Sequence, residues 1–139
     1  MRVLIVDDEP LAISSLAHML NPMHDVSVVG TERSGRAALH ACESKMPDLV
    51  FVDIEMPDMD GVTFARELRS RGAQQIIFVT AFDRFAIDAY EIEATDYVLK
   101  PVDPNRLETA VKRARDRMLV DPLLSAVQSA ARHISLSKM

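Results

Sequence analysis

The sequence has one cysteine, Cys42, among its 139 residues. An internal disulfide is therefore excluded, and a reducing cytoplasm is the expected location. The chain also lacks an excess of positive charge, because 16 Lys and Arg stand against 21 Asp and Glu, for a net charge of −5. That balance argues against direct binding to nucleic acid or to an anionic membrane surface.

Long apolar runs are missing as well. No run approaches the length that a membrane span needs, and the apolar run from Val3 to Val6 is shorter than that of a signal peptide. Apolar residues nevertheless make up 48% of the chain and charged residues 27%. This length and composition are typical of one soluble globular domain with a substantial core.

Short apolar segments alternate five times with segments of helical periodicity. The expected strands are 3–6, 26–29 (closed by Gly30), 49–52, 76–79 and 97–99. The expected helices begin at or near Pro10, Ser34, Asp60, Arg84 and Asp103. This alternation predicts an α/β fold, a doubly wound five-stranded parallel sheet in a three-layer sandwich.

Polar side chains stand directly after four of the five expected strands. They are Asp7 and Asp8 after the first strand, Asp53 after the third, Thr80 after the fourth and Lys100 after the fifth. Because the carboxyl ends of parallel strands lie along one edge of a sheet, we expect these side chains to converge on one crevice.

The charges of these residues predict a phosphoryl-transfer site. Asp7, Asp8 and Asp53 together carry −3, and hard carboxylate oxygens suit Mg²⁺ rather than a transition metal. With Mg²⁺ and Lys100 the charges sum to zero, which suits the transfer of a phosphoryl group. Asp53 would be the nucleophile and would form an aspartyl phosphate.

Two residues near this crevice are expected to respond to the phosphoryl group, and two others to affect how long it stays. The Thr80 hydroxyl would bond to it, and the Tyr97 ring would follow the movement of Thr80, which couples the charge to a distant surface. Glu55 and Phe82 lie two residues after Asp53 and Thr80, respectively. We expect both to affect the lifetime of the phosphorylated state by blocking or positioning water.

The motifs around these residues resemble the receiver domain of two-component response regulators, over residues 1–118. These motifs are Asp7-Asp8, Asp53 followed by Met56-Pro57-x-x-Asp60-Gly61, Thr80-Ala81, and Lys100-Pro101. The resemblance implies the flavodoxin-like receiver fold and a phosphoryl group received from a sensor histidine kinase. It implies a switch that catalyses only its own phosphorylation and dephosphorylation.

The resemblance also implies a role for each matching residue. Asp53 resembles the phospho-acceptor. Asp8, Asp53 and the main-chain carbonyl of Glu55 resemble the Mg²⁺ ligands, with Asp7 acting through water. The remaining implied assignments are phosphate binding by Thr80, Ala81 and Lys100, a switch pair of Thr80 and Tyr97, and a cis peptide bond between Lys100 and Pro101.

Residues 80–90 and 94–101 are similar to those of regulators with a LytTR-type DNA-binding output domain. No output domain of this kind is expected within the 139 residues, and DNA binding is expected only from such a domain, not from the receiver. The expected surface for dimerisation or output is the fourth and fifth helices with the strand between them, around Tyr90 and Tyr97.

Residues 119–139 differ in composition from the expected domain. Val120, Leu124, Val127, Ala131 and Ile134 follow a 4-3-4-3 spacing, as in a short coiled-coil seam. We expect a helical linker cut from its output domain, with a dimerising extension as the alternative.

Three other functions remain as alternatives. A stand-alone receiver could act as a protein-interaction module. A Mg²⁺-dependent phosphatase of the haloacid-dehalogenase kind would place its nucleophile in an Asp-x-Asp pattern after the first strand, whereas the candidate here follows the third. A flavin-binding module would need a phosphate loop after the first strand, where Asp7, Asp8 and Glu9 would repel a phosphate.

Overall fold

Five strands alternate with five helices along the chain. A computed structural model describes the backbone of residues 1–72 and 74–137, and the side chains of this range up to residue 120. The elements in order are β1 Arg2–Val6, α1 Pro10–Leu20, β2 Ser27–Glu32, α2 Gly35–Lys45, β3 Leu49–Val52, α3 Gly61–Arg71, β4 Gln75–Thr80, α4 Ala86–Glu91, β5 Asp96–Leu99 and α5 Pro104–Ser137.

The strands form one parallel sheet in the order β2-β1-β3-β4-β5. This order reverses direction beside β1, and ligands of doubly wound sheets bind at such a point. The predicted fold class is confirmed, including the parallel pairing of all five strands. We therefore expect a ligand-binding site in the crevice at the carboxyl ends of β1 and β3.

The central strand β3 shows why the sheet needs helices on both faces. All four of its residues are buried. Val50 and Val52 belong to the core cluster that includes α2, α3 and α4 side chains, whereas Leu49 and Phe51 belong to the cluster that includes α1 and α5 side chains. Each buried side chain of this kind contributes about 1.5–3 kcal/mol, so the continuous apolar run holds the three layers together.

Two predicted helix caps are confirmed. The Ser34 side chain accepts a hydrogen bond from the Ala37 N–H at 3.2 Å, and the Asp60 side chain accepts one from the Thr63 N–H at 2.8 Å. Such caps satisfy backbone donors that the first helical turn leaves without partners. The Asp60 cap also fixes where the loop after β3 ends.

The predicted end of β2 at Gly30 is wrong, because the strand continues to Glu32. The pairing with β1 shifts register between Val3 and Leu4, so that Val3 pairs with Val28 and Leu4 with Gly30. An extra residue in an edge strand makes a bulge that the alternation of apolar residues does not reveal. The predicted start of α4 is also early, since the helix begins at Ala86.

Helix α5 continues through the expected domain boundary at residue 118 as far as Ser137. Leu119 and Val120 are largely exposed at the start of this extension. The other members of the predicted seam, Leu124, Val127, Ala131 and Ile134, lie outside the residues whose side chains the structure describes. No described helix is long and apolar enough to cross a membrane.

Candidate functional site

Three acidic side chains meet at the carboxyl ends of β1 and β3. Carboxylate oxygens of Asp7, Asp8 and Asp53 all lie within 4.8 Å of one another. Backbone pairing positions two of them, because the Asp7 N–H donates to the Glu32 carbonyl and the Asp53 N–H donates to the Val6 carbonyl. Asp7 and Asp53 are both buried, so their negative charges are only weakly screened by water.

Lys100 supplies the counter-charge to this cluster. Its Nζ lies 2.8 Å from Asp7 Oδ2 and 3.1 Å from Asp53 Oδ2. Burial alone would lower the pKa of Lys100, but hydrogen bonds to the two carboxylates and their charge outweigh burial and raise it. The peptide bond that follows, between Lys100 and Pro101, is cis.

The second oxygen of Asp53 has no such partner. Asp53 Oδ1 is buried and accepts no hydrogen bond among the described residues. A buried carboxylate oxygen without a donor is costly unless a cation or ligand satisfies it. Three clustered carboxylates with one unsatisfied oxygen fit a hard divalent cation such as Mg²⁺, and Lys100 offsets only one of their three charges.

Thr80 and Tyr97 are linked through the backbone of Phe82. Thr80 is fully buried at the end of β4, and its hydroxyl accepts the Phe82 N–H at 3.4 Å. The Tyr97 hydroxyl donates to the Phe82 carbonyl. Burial raises the pKa of Tyr97, so the phenol remains a donor at neutral pH. A shift of Thr80 would therefore reach the hydrogen bond that holds Tyr97.

Gly61 allows α3 to begin against the backbone of the phospho-acceptor candidate. Its N–H donates to the Ile54 carbonyl at 2.7 Å. A Cβ at this position would lie 2.2 Å from the Asp53 carbonyl oxygen and 2.8 Å from the Ile54 Cα. Both obstacles are backbone atoms, so a side chain here could be accommodated only by moving the Asp53 segment.

Sequence reasoning missed Arg33. Its guanidinium donates to the Asp8 main-chain carbonyl from Nε at 3.2 Å and from Nη2 at 3.1 Å. Arg33 precedes α2 and lies 25 residues from Asp8 in the sequence. No local pattern indicates such a contact, because it depends on how β2 pairs with β1.

Asp58, in the loop after β3, caps α2 rather than α3, the helix that follows it in the sequence. Its carboxylate accepts the backbone N–H groups of Gly35 and Arg36, both at 3.1 Å. These bonds lower the pKa of Asp58 against the opposing effect of burial. The loop after β3 is therefore tied to the first turn of α2 as well as to α3.

The predicted site residues fall into two groups. The structure brings Asp7, Asp8, Asp53 and Lys100 together. Thr80 and Tyr97 form a second group, because both bond to the backbone of Phe82.

The Glu55 side chain belongs to neither group. It points to the neighbouring loop, where its Oε1 lies 3.7 Å from Arg84 Nη2. An open groove of about 660 Å³ passes Asp8, Glu55 and Phe85.

Comparison with known proteins identifies this arrangement. The sequence model of the response regulator receiver domain matches residues 3–112. The chain therefore belongs to the receiver domain family of two-component response regulators. The response regulatory domain of protein mrkE from Klebsiella pneumoniae has a similar structure, with a TM-score of 0.77 and 33% identity, covering 84% of this chain and 96% of that one.

Two curated relatives are regulatory proteins that are longer than this chain. An uncharacterised response regulatory protein of Yersinia pestis is 38% identical over 138 residues, which are 99% of this chain and 58% of the relative. The transcriptional regulatory protein BtsR of Escherichia coli is 41% identical over 82% of this chain and 48% of its own length. The chain thus spans about half the length of the curated relatives it matches, and the family match favours a receiver over a phosphatase.

Proposed function

We propose that Asp53 accepts a phosphoryl group from the phospho-histidine of a sensor kinase. The observation that carries this proposal is the asymmetry of the Asp53 carboxylate. Lys100 holds Oδ2 at 3.1 Å, whereas Oδ1 is buried without a hydrogen-bond partner among the described residues. One oxygen is thereby fixed while the other is available to a cation or a phosphoryl group.

The transfer requires little covalent chemistry from the protein. A carboxylate oxygen of Asp53 bonds to phosphorus, the bond from phosphorus to the donor imidazole nitrogen breaks, and its electron pair stays on that nitrogen. Lys100 stabilises negative charge on the phosphoryl oxygens, and Thr80 and the Ala81 backbone supply hydrogen bonds to them. Positioning and charge are thus the main contributions of the fold.

Mg²⁺ is the cation that this donor set suits. Asp8, Asp53 and the Glu55 main-chain carbonyl would hold it, with Asp7 acting through water. When bound, Mg²⁺ offsets the charge that accumulates on the transferring group. Arg33 holds the Asp8 backbone at 3.1 Å, which favours a fixed position for that ligand.

The phosphorylated state would be reported through Thr80 and Tyr97. Thr80 moving towards a phosphoryl group would release or shift Phe82, whose carbonyl accepts the Tyr97 hydroxyl. The adjacent surface of α4, β5 and α5 has exposed apolar side chains, including Ile87, Tyr90 and Leu99. This surface would serve for homodimerisation or contact with an output domain.

Residues 1–118 would form the receiver domain and residues 119–139 a helical linker. The continuous helix Pro104–Ser137 and the relative from Yersinia pestis, which aligns over 99% of this chain, support a segment that leads on to a further domain. Residues 80–90 and 94–101 favour a LytTR-type DNA-binding output, and BtsR is described as a transcriptional regulatory protein.

The test is incubation of the chain with a small acyl phosphate and Mg²⁺, followed by intact-mass measurement. We expect one phosphoryl adduct per chain, lost in Asp53→Asn and absent when a chelator removes Mg²⁺. Asp83→Asn is a matched control, because Asp83 is exposed in the loop after β4 and lies outside the carboxylate cluster. An adduct that survives Asp53→Asn would contradict the proposal.

A further inference from the structure

Arg84 connects the two loops that flank the candidate phosphorylation site. Its guanidinium carbon lies 4.5 Å from the ring centroid of Phe82 and 4.8 Å from that of Phe85. Its Nη2 lies 3.7 Å from Glu55 Oε1, across the gap to the loop after β3. Two aromatic contacts hold the cation on its own loop, and the ion pair reaches the other loop. We call these four residues the Arg84 clamp.

The clamp includes Phe82, whose backbone bonds to both residues of the predicted switch pair, Thr80 and Tyr97. The Phe82 N–H donates to Thr80 Oγ1, and its carbonyl accepts the Tyr97 hydroxyl. A movement of Thr80 would therefore be felt by the ring on which Arg84 rests. Glu55 also lies only two residues after Asp53. The clamp thus joins Glu55, two residues after the proposed phospho-acceptor, to Phe82, which bonds to both members of the predicted switch pair.

Two residues of the clamp line the open groove that passes Asp8, one member of the carboxylate cluster. Glu55 and Phe85, which Arg84 contacts on different loops, line the same groove as Asp8. Hydrolysis of an aspartyl phosphate needs water to reach phosphorus. The water oxygen bonds to phosphorus, the bond to the Asp53 oxygen breaks with its electron pair remaining on the carboxylate, and the water proton passes to solvent. Two loops held together would limit the approach of water along this groove.

We propose that Arg84 is a positioning residue that lengthens the lifetime of phosphorylated Asp53 by tying the loop after β4 to Glu55. This inference rests on the proposed phosphorylation of Asp53. Arg84 touches neither Asp53 nor the carboxylate cluster, so its effect passes through Glu55 and Phe82. Free rotation of Glu55 and separation of the two loops would admit water more often.

The expected effect is moderate, because the pair is open to solvent. The side chains of Arg84 and Glu55 are 61% and 59% exposed, and exposed ion pairs and cation–π contacts are individually weak. We expect Arg84→Ala to shorten the half-life of the adduct about 2- to 10-fold. Arg84→Lys keeps the charge but not the flat stacking surface and should lie between Arg84→Ala and the unchanged chain.

The experiment follows loss of the phosphoryl adduct by intact mass after the acyl phosphate is removed, in the full chain with Mg²⁺ present. The variants are Arg84→Ala, Arg84→Lys, Glu55→Gln and the double change Arg84→Ala with Glu55→Gln. If Arg84 acts through Glu55, replacing Arg84 has a smaller effect in the Glu55→Gln background. The rate of adduct formation is measured alongside, to separate entry of the phosphoryl group from its hydrolysis.

Arg71→Ala is the matched control. Arg71 also joins two elements through ion pairs, to Glu43 at 2.7 Å and to Glu67 at 2.8 Å, but none of these residues lines the groove or touches the clamp. The phosphoryl adduct of Arg71→Ala should have the same half-life as that of the unchanged chain. The inference is overturned by an unchanged half-life in Arg84→Ala, by equal shortening in Arg71→Ala, or by effects that are fully additive with Glu55→Gln. Absence of any adduct in the unchanged chain would instead overturn the proposed function and the clamp with it.

Discussion

Gly61 lies where the start of α3 meets the backbone of Asp53, and a larger residue there would displace that backbone. We expect Gly61→Ala to lower the free energy of unfolding by about 1–3 kcal/mol and to slow phosphorylation, because the added Cβ would lie 2.2 Å from the Asp53 carbonyl oxygen. Urea denaturation measures the first effect, and the rate of adduct formation from an acyl phosphate measures the second.

Gly30→Ala is the control for this prediction. The nearest atom to a Cβ at Gly30 is Lys45 Nζ, the end of a flexible side chain that can move away. Its phosphorylation rate should be unchanged. A Gly61→Ala chain that is phosphorylated at the unchanged rate would show that the close approach at Gly61 has no bearing on the site.

Lys100 is the only described side chain that forms ion pairs with Asp7 and Asp53. We expect Lys100→Met to strengthen Mg²⁺ binding about threefold or more, because the carboxylate cluster loses a competing positive charge. The same change should lower stability in the absence of Mg²⁺, since two buried carboxylates lose their partner. Thermal unfolding across a MgCl₂ series at constant ionic strength measures both effects.

Lys112→Met serves for comparison, because Lys112 is an exposed lysine on α5. It removes the same net charge without changing the site. Equal Mg²⁺ dependence in the two variants, or weaker Mg²⁺ binding in Lys100→Met, would contradict the assignment of the carboxylate cluster as the cation site.

At the scale of elements, β5 and α5 are joined by a buried aspartate. Asp96 Oδ1 and Oδ2 accept hydrogen bonds from Arg106 at 2.7 and 2.8 Å, and Arg113 Nη1 lies 2.9 Å from Oδ2. Burial would raise the pKa of Asp96, but the hydrogen bonds from Arg106 and the Tyr97 N–H, with the charges of the two arginines, lower it. The fold therefore favours the ionised carboxylate.

This pKa shift predicts how stability depends on pH. Because the folded-state pKa lies below the unfolded value of about 3.9, the contribution of Asp96 is fully present above that value and is lost as the pH falls through the folded-state pKa. We expect Asp96→Asn to lower the free energy of unfolding by about 1–3 kcal/mol at pH 7. The difference from the unchanged chain should narrow below about pH 4.

Urea unfolding at a series of pH values tests this, with Asp116→Asn as the control because Asp116 is exposed on α5. A difference between Asp96→Asn and the unchanged chain that stays constant between neutral and acid pH would contradict the linkage.

The sequence predicts where helices begin, but it does not predict how the elements pair with one another. Capping residues such as Ser34 and Asp60 act on neighbours in the sequence, so local patterns predict where α2 and α3 begin. The continuation of β2 past Gly30 depends on a register shift against β1, which no local pattern contains. The cap that Asp58 provides to α2 was missed for the same reason, since its partners lie 22 and 23 residues away.

For the whole molecule, the alternation of strands and helices predicts the layers, and the sheet order then brings the strand ends together. That is why Asp7, Asp8, Asp53 and Lys100 could be chosen from the sequence before their distances were known. Loop residues with contacts around the site, such as Arg33 and Arg84, could not be chosen, because their partners depend on how separate loops pack. The sequence thus predicts the charged centre better than its surroundings.

Locating the phosphoryl group tests the central claim most directly. The chain is treated with an acyl phosphate and Mg²⁺, the acyl phosphate bond is reduced with borohydride, and the protein is digested for peptide mass spectrometry. Reduction converts a phosphorylated aspartate into homoserine and so marks its position. We expect homoserine at position 53 and at no other aspartate. Homoserine at Asp7 or Asp8, or none anywhere after an adduct has been seen, would contradict it.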